Sequence, residues 1–141
     1  MIFLVYADSA GASHLHPLRL RNSYESGLPA FASLGWRTML IEQPRFDDPL
    51  HVSRAFGSIQ IVMSGALRIG VTAGAQREWV GRAGDAFVFV DVHGDGHSAA
   101  GMGAEPLGAI NIPLTDDWSA LRDAFDEWPE GAQQFATDVA R

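Results

Sequence analysis

The chain has 141 residues, which by length is one domain. Cysteine is absent and all ten basic residues are arginine. Disulfides, thiolate ligands, cysteine nucleophiles, Schiff-base lysines and P-loop lysines are therefore excluded. A hydrophobic fraction of 47% with a net charge of -7 describes an ordered acidic domain. It has no basic footprint for nucleic acid or an anionic membrane surface.

The first eight residues, MIFLVYAD, read as a strand. They lack a basic n-region and reach Asp8 too soon for a secretory signal, so a cytoplasmic protein is expected. No apolar run approaches the roughly 18 residues of a membrane span. His14 and His16 lie two apart and share a face if extended. A solvated strand face is the plain reading of that pair, and a metal-binding pair is its rival. Residues 35–43 form the next strand, stopped by Pro44, which cannot donate to a ladder. Residues 58–63 (SIQIVM) and 66–71 (ALRIGV) flank Ser64-Gly65, which predicts a hairpin. A short strand over 76–81 follows, then a turn at Gly84-Asp85. From 86 to 92 the residues alternate, with Phe87, Phe89 and Asp91 on one face and Val88, Val90 and Val92 on the other. The loop 93–96 leads to His97, and strands over 98–104 and 107–114 close the set. Short strands with turns every 8–12 residues indicate an antiparallel sandwich or barrel.

The tail changes character. Thr115 is a helix N-cap, with Asp116 and Asp117 where the dipole favours negative charge. Trp118, Leu121 and Phe125 recur at helical spacing, and Trp128-Pro129 stops the helix. A second short helix from Pro129 would carry Phe135 and Val139. One domain is expected, with a barrel over about 1–114 and a helical tail over 115–141 that covers a sheet edge or a barrel end.

The run from Ser58 to Val71, then Gly84-Asp85-Ala-Phe-Val-Phe-Val-Asp91, then Gly94-Asp-Gly-His97, resembles a small single-domain cupin. The resemblance implies an all-β, antiparallel barrel or jelly roll whose open end holds a ligand, often through a metal. Metal-binding cupins carry Gly, five residues, His-x-His, three or four residues, Glu, six residues, Gly. Gly65 matches the last Gly, and Ser58 stands at the Glu position. A four-residue gap places the two His positions on His51 and Ser53, and a three-residue gap on Val52 and Arg54. The opening Gly falls on Arg45. In the second motif Gly84 and His97 match the ends, but the loop is two residues longer than the common form, which would place Asp95 there. One first-motif ligand, His51, survives.

These positions define the candidate site. His51, His97 and Asp95 are the metal candidates, and the resemblance leaves open whether iron, zinc, nickel, manganese or no metal is held. His97 and His51 are the candidate acid/base residues, since imidazole changes charge near neutrality. Ser58 and Gln60 share a strand face that would line the barrel interior, and sparse polar groups in an apolar concavity suit a small-molecule pocket. Arg54 and Trp36 complete the ligand-binding candidates. Arg37 and Arg68 are further cations for an anionic ligand, and Phe56, Trp79, Phe87 and Phe89 are pocket-wall or core aromatics. The expected function is binding of a small polar organic molecule, with isomerase, cyclase or lyase chemistry if it is an enzyme. A metal-dependent dioxygenase and a non-catalytic binding or interaction module are the alternatives. A homodimer is expected from the family and from apolar strands that need covering.

Overall fold

A computed structural model describes residues 1–21, 37–40, 46–54, 56–114 and 119–132, with 37–40 and 119–120 as backbone. The described residues form ten strands: β1 (Ile2–Ala7), β2 (Ser13–Leu18), β3 (Arg37–Leu40), β4 (Asp47–His51), β5 (Ser58–Ser64), β6 (Ala66–Gly70), β7 (Glu78–Arg82), β8 (Ala86–Phe89), β9 (His97–Met102) and β10 (Gly108–Pro113). They form a six-stranded sheet, ordered β2-β1-β8-β5-β10-β3, and a four-stranded sheet, ordered β4-β9-β6-β7.

The pairing identifies the architecture. Among β3 to β10, the first strand pairs with the last, β4 with β9, β5 with β8, and β6 with β7, all antiparallel. Successive pairs alternate between the sheets. An eight-strand hairpin wound up in this way is a jelly roll, the arrangement that cupins share with capsid and lectin domains. The expected all-β jelly roll is therefore present. The β1–β2 hairpin extends it, with β1 running parallel to β8.

One local expectation fails. β5 and β6 do not pair with each other; each belongs to a different sheet. Ser64-Gly65 is a corner between sheets, not a hairpin turn. Gly65 has φ 68°, and a Cβ there would lie 2.7 Å from the Pro106 carbonyl oxygen. The corner is thus wedged against the loop before β10, where only glycine fits. The hairpin partner of β6 is β7, across the turn at 71–77.

Alternation along the strands explains two apolar layers. Phe87 and Phe89 face inward with Phe3, Val5, Val62, Leu67 and Ile69, between the sheets. Val88 and Val90 face outward with Leu4, Ile59 and Leu114, against the tail. The tail supplies α1 (Ser119–Asp123) and a 3-10 turn (Glu130–Ala132). Leu121, Ala124, Phe125 and Ala132 bury on that outer face. The described part of the tail, 119–132, therefore covers a sheet face, and at Phe125 it also bridges Leu20, just beyond the edge strand β2. Each large apolar side chain buried there stabilises the fold by about 1.5–3 kcal/mol. The helix ends at Asp123, before Trp128-Pro129, and the chain instead bridges Phe125 to Leu20. Thr115, Asp116, Asp117, Trp118, Phe135 and Val139 lie outside the described residues.

Candidate functional site

A cavity of about 730 Å³ opens between the two sheets. Strand pairing sets its chemistry. His51, the last residue of β4, and His97, the first of β9, are direct cross-strand partners. Such partners project on one face and touch; here the ring centroids lie 4.5 Å apart with the planes at 55°. Gly96 makes this approach feasible. Its φ is 71°, and a Cβ there would sit 2.0 Å from the His51 carbonyl oxygen.

Behind His97 stands a fully buried carboxylate. Asp91 follows β8 on the same inward face as Phe87 and Phe89, and none of it is exposed. A buried carboxylate needs partners, and Asp91 has two. His97 Nδ1 donates to Oδ2 at 2.7 Å, and the Ser53 hydroxyl donates to Oδ1 at 2.8 Å. The Ser53 amide also donates to the Asp91 carbonyl at 3.0 Å. Phe89 stacks on the His97 ring, centroids 4.4 Å apart at 28°. These contacts fix the imidazole in plane and in rotation.

Hydrogen bonding also fixes the tautomers. His97 Nδ1 faces a carboxylate that accepts two donors, so Nδ1 carries a proton. His51 Nδ1 lies 2.8 Å from the Pro49 carbonyl, which only accepts, so it too carries a proton. In the neutral form of either ring the lone pair is then on Nε2. An imidazole held at Nδ1 by a carboxylate, with Nε2 basic, is the arrangement used for proton abstraction and for metal ligation.

The six-stranded sheet supplies the other polar lining. Ser58 and Gln60 line the cavity from β5, and Asn111 lines it from β10. Gln60 and Asn111 are direct cross-strand partners. Arg54 lines the opening and is exposed. Leu67, Phe89 and Ala99 give the apolar part of the wall.

The sequence candidates thus divide. The structure brings His51, His97, Ser58, Gln60 and Arg54 to one cavity. Trp36 lies outside the described residues. Asp95 is exposed and accepts a hydrogen bond from the Thr72 hydroxyl at 2.8 Å, away from the imidazoles. Arg68 is spent on Asp47 at 3.6 Å and Glu78 at 3.9 Å. Trp79 packs on Phe3, with centroids 4.7 Å apart, and Phe56 packs on the outer layer. His14 donates to Asp8 at 2.8 Å and stacks on Tyr6, which marks a local hairpin contact. That hydrogen bond holds the Asp8 carboxyl below its ordinary value, against desolvation and with help from the Ala10 and Ala12 amides. Burial, and then the Asp8 charge, push the Tyr6 phenol up.

Asp91 and Asn111 were not among the sequence candidates. Asp91 left a signal, as a charged residue in phase with Phe87 and Phe89 on an apolar strand face. Asn111 left none, because its importance comes from standing opposite Gln60.

The metal that the resemblance implies can be tested against these side chains. His51 and His97 supply two nitrogens, Ser58 replaces the expected Glu, and Asp95 is elsewhere. Among the described residues no group of three or more His, Asp or Glu is placed to hold an ion. Catalytic zinc takes three protein ligands, and non-haem iron two His and a carboxylate. The described residues do not fit that set.

No helix among the described residues is long and apolar enough to cross a membrane. No family model matches the chain, and no curated protein matches it. Two solved structures are similar to it. A cupin-2 domain containing protein from Shewanella frigidimarina is 16% identical, with a TM-score of 0.40 over 70% of this chain and 80% of its own. A Salmonella typhimurium protein described as ethanolamine utilization protein Q is 12% identical, with a TM-score of 0.33 over 80% and 95%. The jelly-roll assignment rests on the strand pairing itself.

Proposed function

We propose that this cupin-type barrel binds a small polar organic molecule between its sheets and moves a proton on it, with His97 as the acid/base residue. The observation that carries this reading is the buried Asp91–His97 hydrogen bond of 2.7 Å at a cavity wall. A fully buried carboxylate is costly to keep. Here it orients one imidazole, leaving Nε2 basic at a cavity lined by the uncharged Ser58, Gln60 and Asn111 as well as by Asp48 and Arg54. His51 stands in contact with that ring and is exposed, so it connects the site to water. Proton transfer of this kind underlies isomerisation, cyclisation and elimination.

Turnover and binding separate this reading from a plain binding module. A panel of short oxo and hydroxy acids is screened by thermal shift on chelator-treated protein, and each stabilising compound is followed by NMR in deuterated buffer. His97→Ala is expected to abolish exchange or conversion while the thermal shift persists. Ligands that stabilise equally in both proteins without any turnover would make the chain a binding module. Turnover that returns only with an added transition metal would favour the metal-dependent alternative.

A further inference from the structure

Resting on that reading, we infer that Gln60 and Asn111 form an oxyanion site across the cavity from His97. The substrates are then carbonyl compounds with a removable proton on the carbon beside the carbonyl.

Three observations converge. First, Gln60 and Asn111 are direct partners on adjacent strands, so their side chains leave the same face side by side. Both line the cavity from the six-stranded sheet, whereas His51 and His97 line it from the four-stranded sheet. Second, both carboxamides are half-buried at the cavity wall. Polar side chains in such a place are paired with protein or water, and a water there is what an entering oxygen can displace. Third, the pair is uncharged. Two carboxamide N–H donors stabilise charge that appears on an oxygen during reaction, without first trapping a resident anion as a fixed cation would.

The step balances without a further reagent. His97 Nε2 takes the proton from the carbon beside the carbonyl. The C–H electron pair becomes the new C=C bond, and the carbonyl π pair moves onto oxygen, where Gln60 and Asn111 donate to it. Return of the proton from His97 to a different atom gives an isomer. Expulsion of a leaving group from the next carbon gives an elimination product, with the proton passing through His51 to water.

The probe is 4-nitrophenol, whose phenolate is yellow and mimics the enolate oxygen. It is titrated into the full chain at a pH where the free probe is mostly neutral, with optical and NMR detection. Wild type is expected to hold it as phenolate. Gln60→Met and Asn111→Leu are each expected to weaken phenolate binding about ten-fold or more, with affinity for the neutral phenol, measured at lower pH, unchanged. Binding of the probe at His97 in its neutral form only, or phenolate binding indifferent to both substitutions, overturns the oxyanion site and leaves the cavity reading standing. Failure of the probe to bind or to perturb His97 overturns the oxyanion site as well, and loss of every ligand in the oxo and hydroxy acid panel would remove the cavity reading with it.

Discussion

Removing the Asp91 carboxylate strips two donors of their acceptor at once. The His97 Nδ1–H and the Ser53 hydroxyl each lose a hydrogen bond, at 2.7 and 2.8 Å. A buried polar group left unpaired costs about 1–3 kcal/mol. Each hydrogen bond to a charged group contributes about 1.5–3 kcal/mol. Ser53 is only half-buried and recovers part of its loss from water, whereas His97 is buried. Asp91→Ala is therefore expected to destabilise by about 2–5 kcal/mol, a large share of the 5–15 kcal/mol typical of a domain. Asp91→Asn keeps the volume and one carbonyl acceptor, and is expected to cost about 1–2 kcal/mol. Urea unfolding gives both values. The imidazole Nδ1–H resonance, expected far downfield in wild type, should vanish in Asp91→Ala. A cost below about 1 kcal/mol for alanine, the range of ordinary surface changes, or equal costs for the two variants, would refute the claim that this carboxylate organises the site.

Gly96→Ala would place a Cβ 2.0 Å from the His51 carbonyl oxygen at φ 71°. It should cost at least about 1–2 kcal/mol in backbone strain, and NMR should show the His51–His97 ring contact broken. Phe125→Ala removes a ring that is 4% exposed in the outer layer; a loss of about 3–5 kcal/mol in urea is expected, with ligand affinity at the cavity retained. Acid unfolding should depend on Asp8, whose carboxyl is held below its ordinary value chiefly by the His14 hydrogen bond. Its stabilisation is present above the unfolded carboxylate range and is lost as pH falls through the lowered folded value. Asp8→Asn should flatten that acid limb and leave the neutral-pH limb unchanged in slope.

Most strands were legible because each carries its own signal; β4, DDPLH and exposed throughout, carries no alternation and was not legible as a strand. Alternation over 86–92 separated the inner Phe87 and Phe89 from the outer Val88 and Val90, and both layers exist. Pairing was less legible, since a Ser-Gly turn reads the same whether it closes a hairpin or turns a sheet corner. Only the contact between Gly65 and Pro106, 41 positions apart in sequence, distinguishes the two. The same limit governs the site. Motif spacing found His51, Ser58 and His97, and face alternation found Gln60. Asn111 and the Asp91–Ser53 bond depend on neighbours brought together by folding, and Asp95, close to His97 in sequence, turns instead to Thr72. The tail's apolar spacing predicted burial, but which surface it covers depends on both sheet faces being apolar.

Proton placement at His97 is read most directly by imidazole 15N NMR of the chelator-treated chain during titration with short oxo and hydroxy acids. His97 is expected to show a protonated Nδ1 and a bare Nε2. Nε2 should shift saturably with at least one of these ligands, while His14, tied to Asp8 on the opposite face of the six-stranded sheet, stays unmoved. An Nε2-protonated tautomer at His97, or ligand binding that leaves His97 and His51 unshifted, would contradict the proposed role of His97.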